Sequence, residues 1–381
     1  MDFLTPVDQK IVAFAKGLSP VQIGGCITLH TEKKKILLND YQVAIVAVPE
    51  YRGSKVETLP LNYNKIREQL YSLYIGNWTT NIIDIGDIKN GETASDTHYA
   101  TKYVVESLLR QHIKIIFLGG SHDLTYPIYR AFDNLDQMVN LVVVDNKFDL
   151  GNSELTLCEQ NYLSKIIIDT PNNLNNYSNI GFQTYYNSQE EINVVFKLHF
   201  DAYRLGEILT NIEFCEPILR NADIVSIDLC SLKTLVNNNF IRYEPNGIDA
   251  KDLCAIARYS GMGDKTSVFG VFNISSQPEE AALLAQTMWY FIEGLNLRMP
   301  EFPARNNDDF LNYVVPVEDQ DIVFFKSVKT QRWWMVVPLL TKHYNKDIKE
   351  SLLPCSHDDY LNCCEQQIPD RWWKAQHKNI V

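Results

Sequence analysis

The sequence predicts an α/β protein with a mainly parallel sheet and helices on both sides, a three-layer α/β/α arrangement. Apolar runs of strand length alternate along the chain with stretches of helical periodicity, which is the pattern of successive βα units. Such runs are typical of the buried strands of parallel sheets. The chain has 381 residues, enough for one large α/β domain or two ordinary ones.

Apolar content and flanking turn residues mark the predicted strands. They are 42–49, 81–86, 113–120, 141–145, 179–186, 223–229 and 267–274. The polar stretch 170–179, "TPNNLNNYSN", is predicted to be a loop.

A helix is predicted between the second and third strands, over residues 92–112. Its periodicity places an apolar stripe on one side, formed by Tyr99, Tyr103, Val104, Leu108 and Leu109. We expect this stripe to face the sheet.

Two further helices are predicted after residue 248. Asp249 is the expected N-cap of a helix over "AKDLCAIARYS", and Gly261 is expected to end it. The segment 279–295, "EEAALLAQTMWYFIEGL", is apolar enough to form a well-buried helix.

The chain is divided into an N-terminal extension (1–40), the α/β domain (41–300) and a C-terminal extension packed on the core (301–381). The C-terminal extension holds two tryptophan pairs, in "QRWWMVVP" (331–338) and "DRWWKAQ" (370–376). Either the pairs anchor the extension to the domain, or they form a partner or subunit interface, for which Trp and Arg are favoured.

Composition narrows the class of protein. The net charge of −12 argues against nucleic-acid binding. No apolar run approaches the roughly 20 residues that span a bilayer, so no membrane association is expected. The eight cysteines form no CxxC pair, and a reducing cytoplasm is the expected location.

Polar side chains follow three of the predicted strands. His122 follows 113–120, Asp145 and Asp149 follow 141–145, and Asp228 lies in 223–229. In an open parallel sheet, ligands bind beyond the carboxyl ends of the strands. If these strands are neighbours, the four side chains converge, and carboxylates that share a site need a cation. Oxygen and imidazole ligands suit a divalent metal ion.

Each of these residues also has a simpler interpretation. His122 can be a buried, hydrogen-bonded histidine, and Asp145 and Asp149 can pair with Lys147 without any metal. Cys230 can be a small buried apolar residue, or it can be a soft metal ligand or a reactive thiol. Asp252 can be a solvated acid on a helix or part of a guanidine- or amine-binding site.

Four segments resemble motifs of the ureohydrolases (arginase, agmatinase, formimidoylglutamase). "GGSHDLTYP" (119–127) resembles GGDHS, "DNKFD" (145–149) resembles DAHxD, "SIDLCSL" (226–232) resembles SxDxDxxDP, and "PNGIDAKDL" (245–253) resembles GGLTxRE. The likeness covers roughly residues 40–300 and is strongest to the formimidoylglutamase branch. It implies the arginase-like fold and hydrolysis of linear amidines or guanidines, in which two manganese ions bridged by a hydroxide provide the nucleophile.

The resemblance also implies which residues are the ligands. One metal would be held by His122, Asp145, Asp149 and Asp228. The second would share Asp145 and Asp228 but needs a histidine and an aspartate, and here Lys147 and Cys230 stand in those positions. A charged ammonium cannot be a ligand. At most one manganese ion is therefore expected, with Lys147 neutralising the carboxylates in place of the second.

Other positions depart from the family pattern as well. The acid of GGDHS has moved to the other side of the histidine, as Asp123, and no histidine follows Asp149 before His199. Asp252 replaces the glutamate of GGLTxRE, and Asn273 stands where an acid is usual.

Two functions are therefore carried forward. One is an impaired or one-metal hydrolase of formiminoglutamate or a similar small amidine or guanidine. The other is a non-catalytic binding or structural protein. The family tends to form trimers or hexamers, so a homo-oligomer is a further expectation.

Overall fold

The structure is a computed structural model and describes residues 3–32, 38–54, 63–234, 244–275, 277–304, 307–318, 320–338 and 350–378. The strands are β1 Leu4–Thr5, β2 Thr28–Leu29, β3 Val43–Val48, β4 Ile82–Ile88, β5 Lys114–Gly119, β6 Val139–Val144, β7 Leu174–Phe182, β8 Asp201–Arg204, β9 Ile224–Asp228, β10 Val268–Phe272, β11 Phe310–Val317, β12 Gln320–Ser327, β13 Trp333–Pro338 and β14 Glu350–Cys355. The helices are α1 Gln9–Lys16, α2 Ile23–Cys26, α3 Asn64–Ser72, α4 Ala94–Leu109, α5 Thr125–Arg130, α6 Tyr162–Ile168, α7 Gln189–Lys197, α8 Leu205–Thr210, α9 Cys215–Arg220, α10 Ala250–Met262, α11 Pro278–Asn296, α12 His357–Cys364 and α13 Asp370–Lys378.

The main sheet has the strand order β1-β4-β3-β5-β10-β9-β6-β7-β8, with β2 paired to another part of β4. Its pairings are parallel except that of β1 with β4. The predicted mainly parallel sheet is therefore confirmed. Strands β1 and β2 belong to this sheet although they lie within residues 1–40.

Alternate residues of each central strand face two separate hydrophobic cores. In β3, Val43 and Ile45 face the core built with α1–α3 and α8–α11. Ala44 and Val46 face the core built with α4–α7. This is the predicted three-layer arrangement, and it explains why the strands are apolar on both faces.

Helix α4 begins at a capping box formed by Thr93 and Asp96. Its buried side includes Val104, Leu108 and Leu109, as predicted. Tyr99 and Tyr103 are exposed, however, and stack edge-on against Phe3. The predicted stripe was therefore too wide, because it included two tyrosines whose rings rest on Phe3 near the surface instead of facing the sheet.

Helix α10 begins after Asp249, as predicted, but Gly261 does not end it. The helix continues to Met262, and Gly263 is the C-cap residue. Gly261 serves close packing instead: a Cβ atom there would lie 2.1 Å from the carbonyl oxygen of Phe291 in α11.

The predicted loop 170–179 is partly wrong, since β7 begins at Leu174. The asparagines in this segment find hydrogen-bond partners at the amino end of the sheet, such as the side chain of Asn140 for Asn175. Their polarity is therefore satisfied within a strand. Strand β8 was not predicted.

The C-terminal segment forms its own antiparallel sheet, β11-β12-β13-β14, with α12 and α13 beside it. Trp333, Trp334 and Trp372 are buried, while Trp373 is 40% exposed. The Trp372 indole donates a hydrogen bond to the Val336 carbonyl, 2.9 Å away. Three of the four paired tryptophans therefore act as packing anchors.

Two contacts attach this segment to the α/β domain. The guanidinium of Arg220, at the end of α9, lies 4.4 Å from the centre of the Trp334 ring. Lys374 of helix α13 forms an ion pair with Asp201 of edge strand β8 at 3.3 Å.

No helix of the described part is both long and apolar enough to cross a bilayer.

Candidate metal site

The predicted site residues lie on neighbouring strands. The central part of the sheet has the order β5-β10-β9-β6. His122 comes shortly after β5, Asp145 directly after β6, and Asp228 is the last residue of β9. These strands are parallel, so their carboxyl ends meet at one edge, and the side chains converge there as predicted.

Three carboxylates surround one nitrogen of His122. Its Nδ1 atom lies 3.4 Å from Asp145 Oδ2, 3.5 Å from Asp228 Oδ2 and 3.6 Å from Asp149 Oδ2. Each distance exceeds that of an ordinary hydrogen bond. Nδ1 is buried and has no hydrogen-bond partner among the described residues. The ligand atoms of His122, Asp145 and Asp149 all lie within 4.8 Å of one another.

The other ring nitrogen fixes the orientation of His122. Nε2 lies 2.9 Å from the hydroxyl of Ser226, which in turn lies 2.6 Å from the hydroxyl of Thr125. With Nε2 as the donor to Ser226, the lone pair of Nδ1 points at the three carboxylates. Sequence reasoning missed both hydroxyls. A serine inside the fully buried strand β9 was the available signal.

Backbone and amide groups hold the carboxylates in place. Asp228 accepts hydrogen bonds from the Cys230 backbone N–H at 2.7 Å and from the Asn273 amide at 2.9 Å. Asp145 accepts one from the Lys147 backbone N–H at 3.2 Å. Asp149 has a φ of +56°, which turns the chain after β6 so that this carboxylate also faces His122.

Burial and mutual repulsion shape the electrostatics of the site. The pKa of Asp145 lies well above its ordinary value, because the group is buried and faces the charges of Asp228 and Asp149. Burial also raises the pKa of Asp149. Burial lowers the pKa of His122, but its contacts with Asp145, Asp149 and Asp228 outweigh this and raise that pKa to about 10. Full ionisation of the three carboxylates therefore requires a positive charge beside them.

The donor set fits one divalent cation. An imidazole nitrogen and carboxylate oxygens are ordinary ligands of such ions. Ligands that lie about 2.1 Å from an ion in tetrahedral array are themselves about 3.4 Å apart, close to the separations around Nδ1. A buried nitrogen without a hydrogen-bond partner, aimed at three acids, is the arrangement that a metal completes.

The prediction for the Lys147 side chain was wrong. Lys147 is exposed, and its ammonium lies 5.7 Å from the centre of the Tyr186 ring. Among the described residues it forms no ion pair with Asp145, Asp149 or Asp228. The backbone N–H of Lys147 donates to the Asp145 carboxylate, while the side chain of Lys147 points away from it, toward Tyr186. The cation beside the acids is His122 or a metal, and the proposed pairing of Asp145 and Asp149 with Lys147 is ruled out.

Cys230 reaches the cluster through its backbone, and Asp252 is not among the described residues whose ligand atoms have a metal-like spacing. Cys230 lies beside it through its backbone N–H, and its carbonyl accepts a hydrogen bond from Asn146 at 3.3 Å. Asp252 is buried at the start of α10, 3.4 Å from the ammonium of Lys251. Burial raises the pKa of Cys215, and the charge of Asp252 adds to this shift. Asp252 is thus not the solvated acid considered above. Its role in substrate binding stays a prediction.

The acid that follows His122 has a different partner. The Asp123 carboxylate lies 2.8 Å from Nε2 of His98, at the start of α4. It does not orient His122, a role that Ser226 takes.

Comparison with known proteins agrees with this fold. The sequence profile of the arginase family matches residues 43–287. An agmatinase from Blochmanniella floridana is 36% identical over 70 residues, which span 18% of this chain and 23% of the agmatinase.

Solved structures of low sequence identity share the fold. Trypanosoma cruzi formiminoglutamase, solved with Mn2+, superposes with a TM-score of 0.62 at 14% identity, over 73% of this chain and 99% of that protein. Bacillus subtilis formimidoylglutamase gives 0.61 at 16% identity, over 70% and 90%. An agmatine ureohydrolase from Thermoplasma volcanium gives 0.56 at 18% identity, over 74% and 96%. The profile covers more than half of the chain, and the strand order places the four motif residues together, so this chain belongs to the arginase family.

Proposed function

We propose that this protein is a ureohydrolase-family member that holds one divalent ion, manganese, and has lost the usual two-manganese hydrolysis of linear amidines. The ion would be bound by His122, Asp145, Asp149 and Asp228. The observation that carries the proposal is the His122 Nδ1 atom, buried and without a hydrogen-bond partner in the described chain, between three carboxylates.

The second half of the proposal rests on the position next to this site. Among the described residues, one group of histidine, cysteine and acidic side chains has a metal-like spacing, and it contains His122, Asp145 and Asp149. Lys147 and Cys230 replace the two ligands that the second ion needs. Lys147 cannot bind a metal while charged, and its ammonium lies over Tyr186.

A divalent ion in this site would supply Lewis acidity and local positive charge. The residues of the chain define what the site itself can do. Ser226 orients His122, and the Asn273 amide and the Cys230 N–H hold Asp228. The Asn273 amide donates to Oδ2 of Asp228, the oxygen that faces Nδ1 of His122. These contacts support a ligand set that is held in place for a metal.

A second candidate function is a one-metal hydrolase of formiminoglutamate or a similar small amidine or guanidine. The complete first ligand set favours it, since each of the four residues reaches the same point. A non-catalytic binding or structural role is the natural outcome if one ion does not suffice. Cytoplasmic location and self-association remain expectations for either case.

The decisive experiment combines metal analysis with a product assay. The protein is purified with manganese, its metal content is measured by mass spectrometry, and urea or formamide release is followed with arginine, agmatine and formiminoglutamate. Asp145→Asn is the control variant, because it removes a ligand shared by both ions of the family.

We expect about one manganese per chain in the parent, none in the variant, and no product release from either. Two ions per chain would contradict the loss of the second position. Release with one ion, abolished in Asp145→Asn, would establish the second candidate instead. A protein without metal would leave His122 as a protonated partner of the acids and refute the proposed metal site.

A further inference from the structure

A second concave region lies at the opposite end of the main sheet, where β5 and β10 begin. It is a cleft of about 370 Å³. Its apolar lining includes Leu109, Ile113 and Phe132, each of which is also part of the hydrophobic core. Lys114 and Ser267 line it as well. The family site lies at the carboxyl ends of the same strands, so this cleft is separate from it.

Lys114 is the notable charge in this cleft. It is half-buried, and its ammonium donates one hydrogen bond, to the Ser267 hydroxyl at 3.2 Å. Within the described chain it forms no ion pair with a carboxylate. An ammonium has three donors, so two of them lack a protein partner.

The other charged residues of the lining do not compensate Lys114. Arg110 is already paired with Glu106 of its own helix, at 2.7 Å. Asp136 is exposed at the rim of the cleft, and its backbone has a φ of +44°. The nearby Asp223 accepts a hydrogen bond from the backbone N–H of Asn140 at 2.8 Å, and it lies beyond ion-pair distance of Lys114.

The local electrostatics leave room for a further negative charge. Burial and the positive charge of Arg298 lower the pKa of Lys114 to about 8, although the negative charge of Asp223 opposes this shift. Arg298 donates to the backbone carbonyls of Gly261, Asp264 and Thr266 rather than to a carboxylate. A partly desolvated ammonium near a second cation gains free energy when an anion binds beside it.

We propose that this cleft binds a small organic carboxylate, whose charged end pairs with Lys114 and Ser267 and whose apolar part rests on Leu135, which is only partly buried. This apolar contact favours a short hydrocarbon body over a bare inorganic anion. One ammonium without a carboxylate partner favours a single carboxylate over a dianion. The site stands apart from the metal-binding residues, so its test does not depend on the proposed function.

Isothermal titration calorimetry of the full chain tests the proposal with sodium butyrate, neutral butyramide and inorganic phosphate. We expect butyrate to bind with a Kd in the millimolar range and the other two at least about tenfold more weakly, because a hydrogen bond to a charged group is the main polar contact. Lys114→Met keeps the aliphatic stem and should weaken butyrate binding about tenfold. Lys265→Met is the matched control, since Lys265 is a nearby cation that does not line the cleft.

Three results would overturn the proposal: no saturable butyrate binding, equal binding of butyramide or phosphate, or equal weakening by both variants. Acylation of the unmodified protein at pH 8, followed by peptide mass spectrometry, covers the case in which Lys114→Met does not fold. Butyrate should slow the modification of Lys114 and leave that of Lys265 unchanged. Unaltered modification of Lys114 would also count against the site.

Discussion

The residues that the family resemblance assigns to the first metal and those that it assigns to the second are arranged differently in the structure. At the positions assigned to the first metal, His122, Asp145 and Asp149 point to one place, are buried, and have an uncompensated buried nitrogen in their centre. At the positions assigned to the second metal, the Lys147 side chain points away from the same acids, and the backbone N–H of Cys230 donates to Asp228.

The backbone after β6 explains why the side chains point in different directions. Asp145, Lys147 and Asp149 are alternate residues, and an extended chain would direct all three to the same side. Strand β6 ends at Val144, however, and the left-handed backbone of Asp149 brings the two acids together without the lysine. The Lys147 side chain therefore points away from the three acids, although it lies between two of them in the sequence.

The largest effect is expected when the two missing ligands of the second metal position are restored. Lys147→His together with Cys230→Asp should raise the manganese content from about one ion toward two per chain, because an imidazole and a carboxylate return to the missing ligand positions. Metal analysis after dialysis measures this, with Lys147→His alone as the control. A double variant that still binds one ion would show that the backbone after β6 no longer supports the second position.

Acidification should weaken metal binding at the first metal position. A metal at Nδ1 must displace a proton from His122, whose pKa is raised to about 10, so below that value each unit of falling pH should cost up to about tenfold in apparent affinity. Calorimetry with manganese at pH 6.5, 7.5 and 8.5, in buffers of different ionisation enthalpy, measures both the affinity and the released proton. Affinity that is constant across this range would refute His122 as the ligand.

Removing the hydroxyl behind His122 should have a smaller effect. Ser226→Ala leaves the four ligands intact but frees the imidazole ring to rotate, and loss of such an outer partner commonly costs ten- to a hundredfold in metal affinity. We expect about tenfold, measured by manganese titration. Ser231→Ala is the control, because the Ser231 hydroxyl is buried nearby and donates to the backbone carbonyl of Asp228 rather than to a ligand side chain. Equal losses in the two variants would indicate general loosening rather than orientation of His122.

The smallest effect is expected at Lys147. Lys147→Met should change the affinity for manganese by less than about twofold, since an exposed ammonium contributes little to an electrostatic interaction in water. A large gain in affinity or a second bound ion would mean that the ammonium occupies the second position in solution. Manganese titration at low and moderate salt separates these outcomes.

The fold was largely predictable because its signals are local. The apolar runs that became β3, β5, β6, β9 and β10 needed only hydrophobicity and length to be recognised. Strand β7 was predicted to begin five residues too late, because its first asparagines are satisfied by partners that are distant in sequence, such as Asn140.

The residues that form the site were predictable from the sequence, but the directions of their side chains were not. The order of the motifs identified His122, Asp145, Asp149 and Asp228, and parallel strands bring them together. The direction of Lys147 depends on backbone angles after the end of a strand, which the residue types do not specify. Ser226 was missed for a related reason, because its role becomes visible only when β9 is placed beside the loop after β5.

Segments from outside the βα core contact both edges of the main sheet. Strand β1 pairs with β4 at one edge, and Lys374 of helix α13 pairs with Asp201 of β8 at the other. Unprotected edge strands invite pairing between molecules, which leads to aggregation. Removing either segment to isolate the βα core would therefore risk aggregation. Residues 3–5 and 370–378 should be kept in any shortened version of the protein that is meant to be soluble.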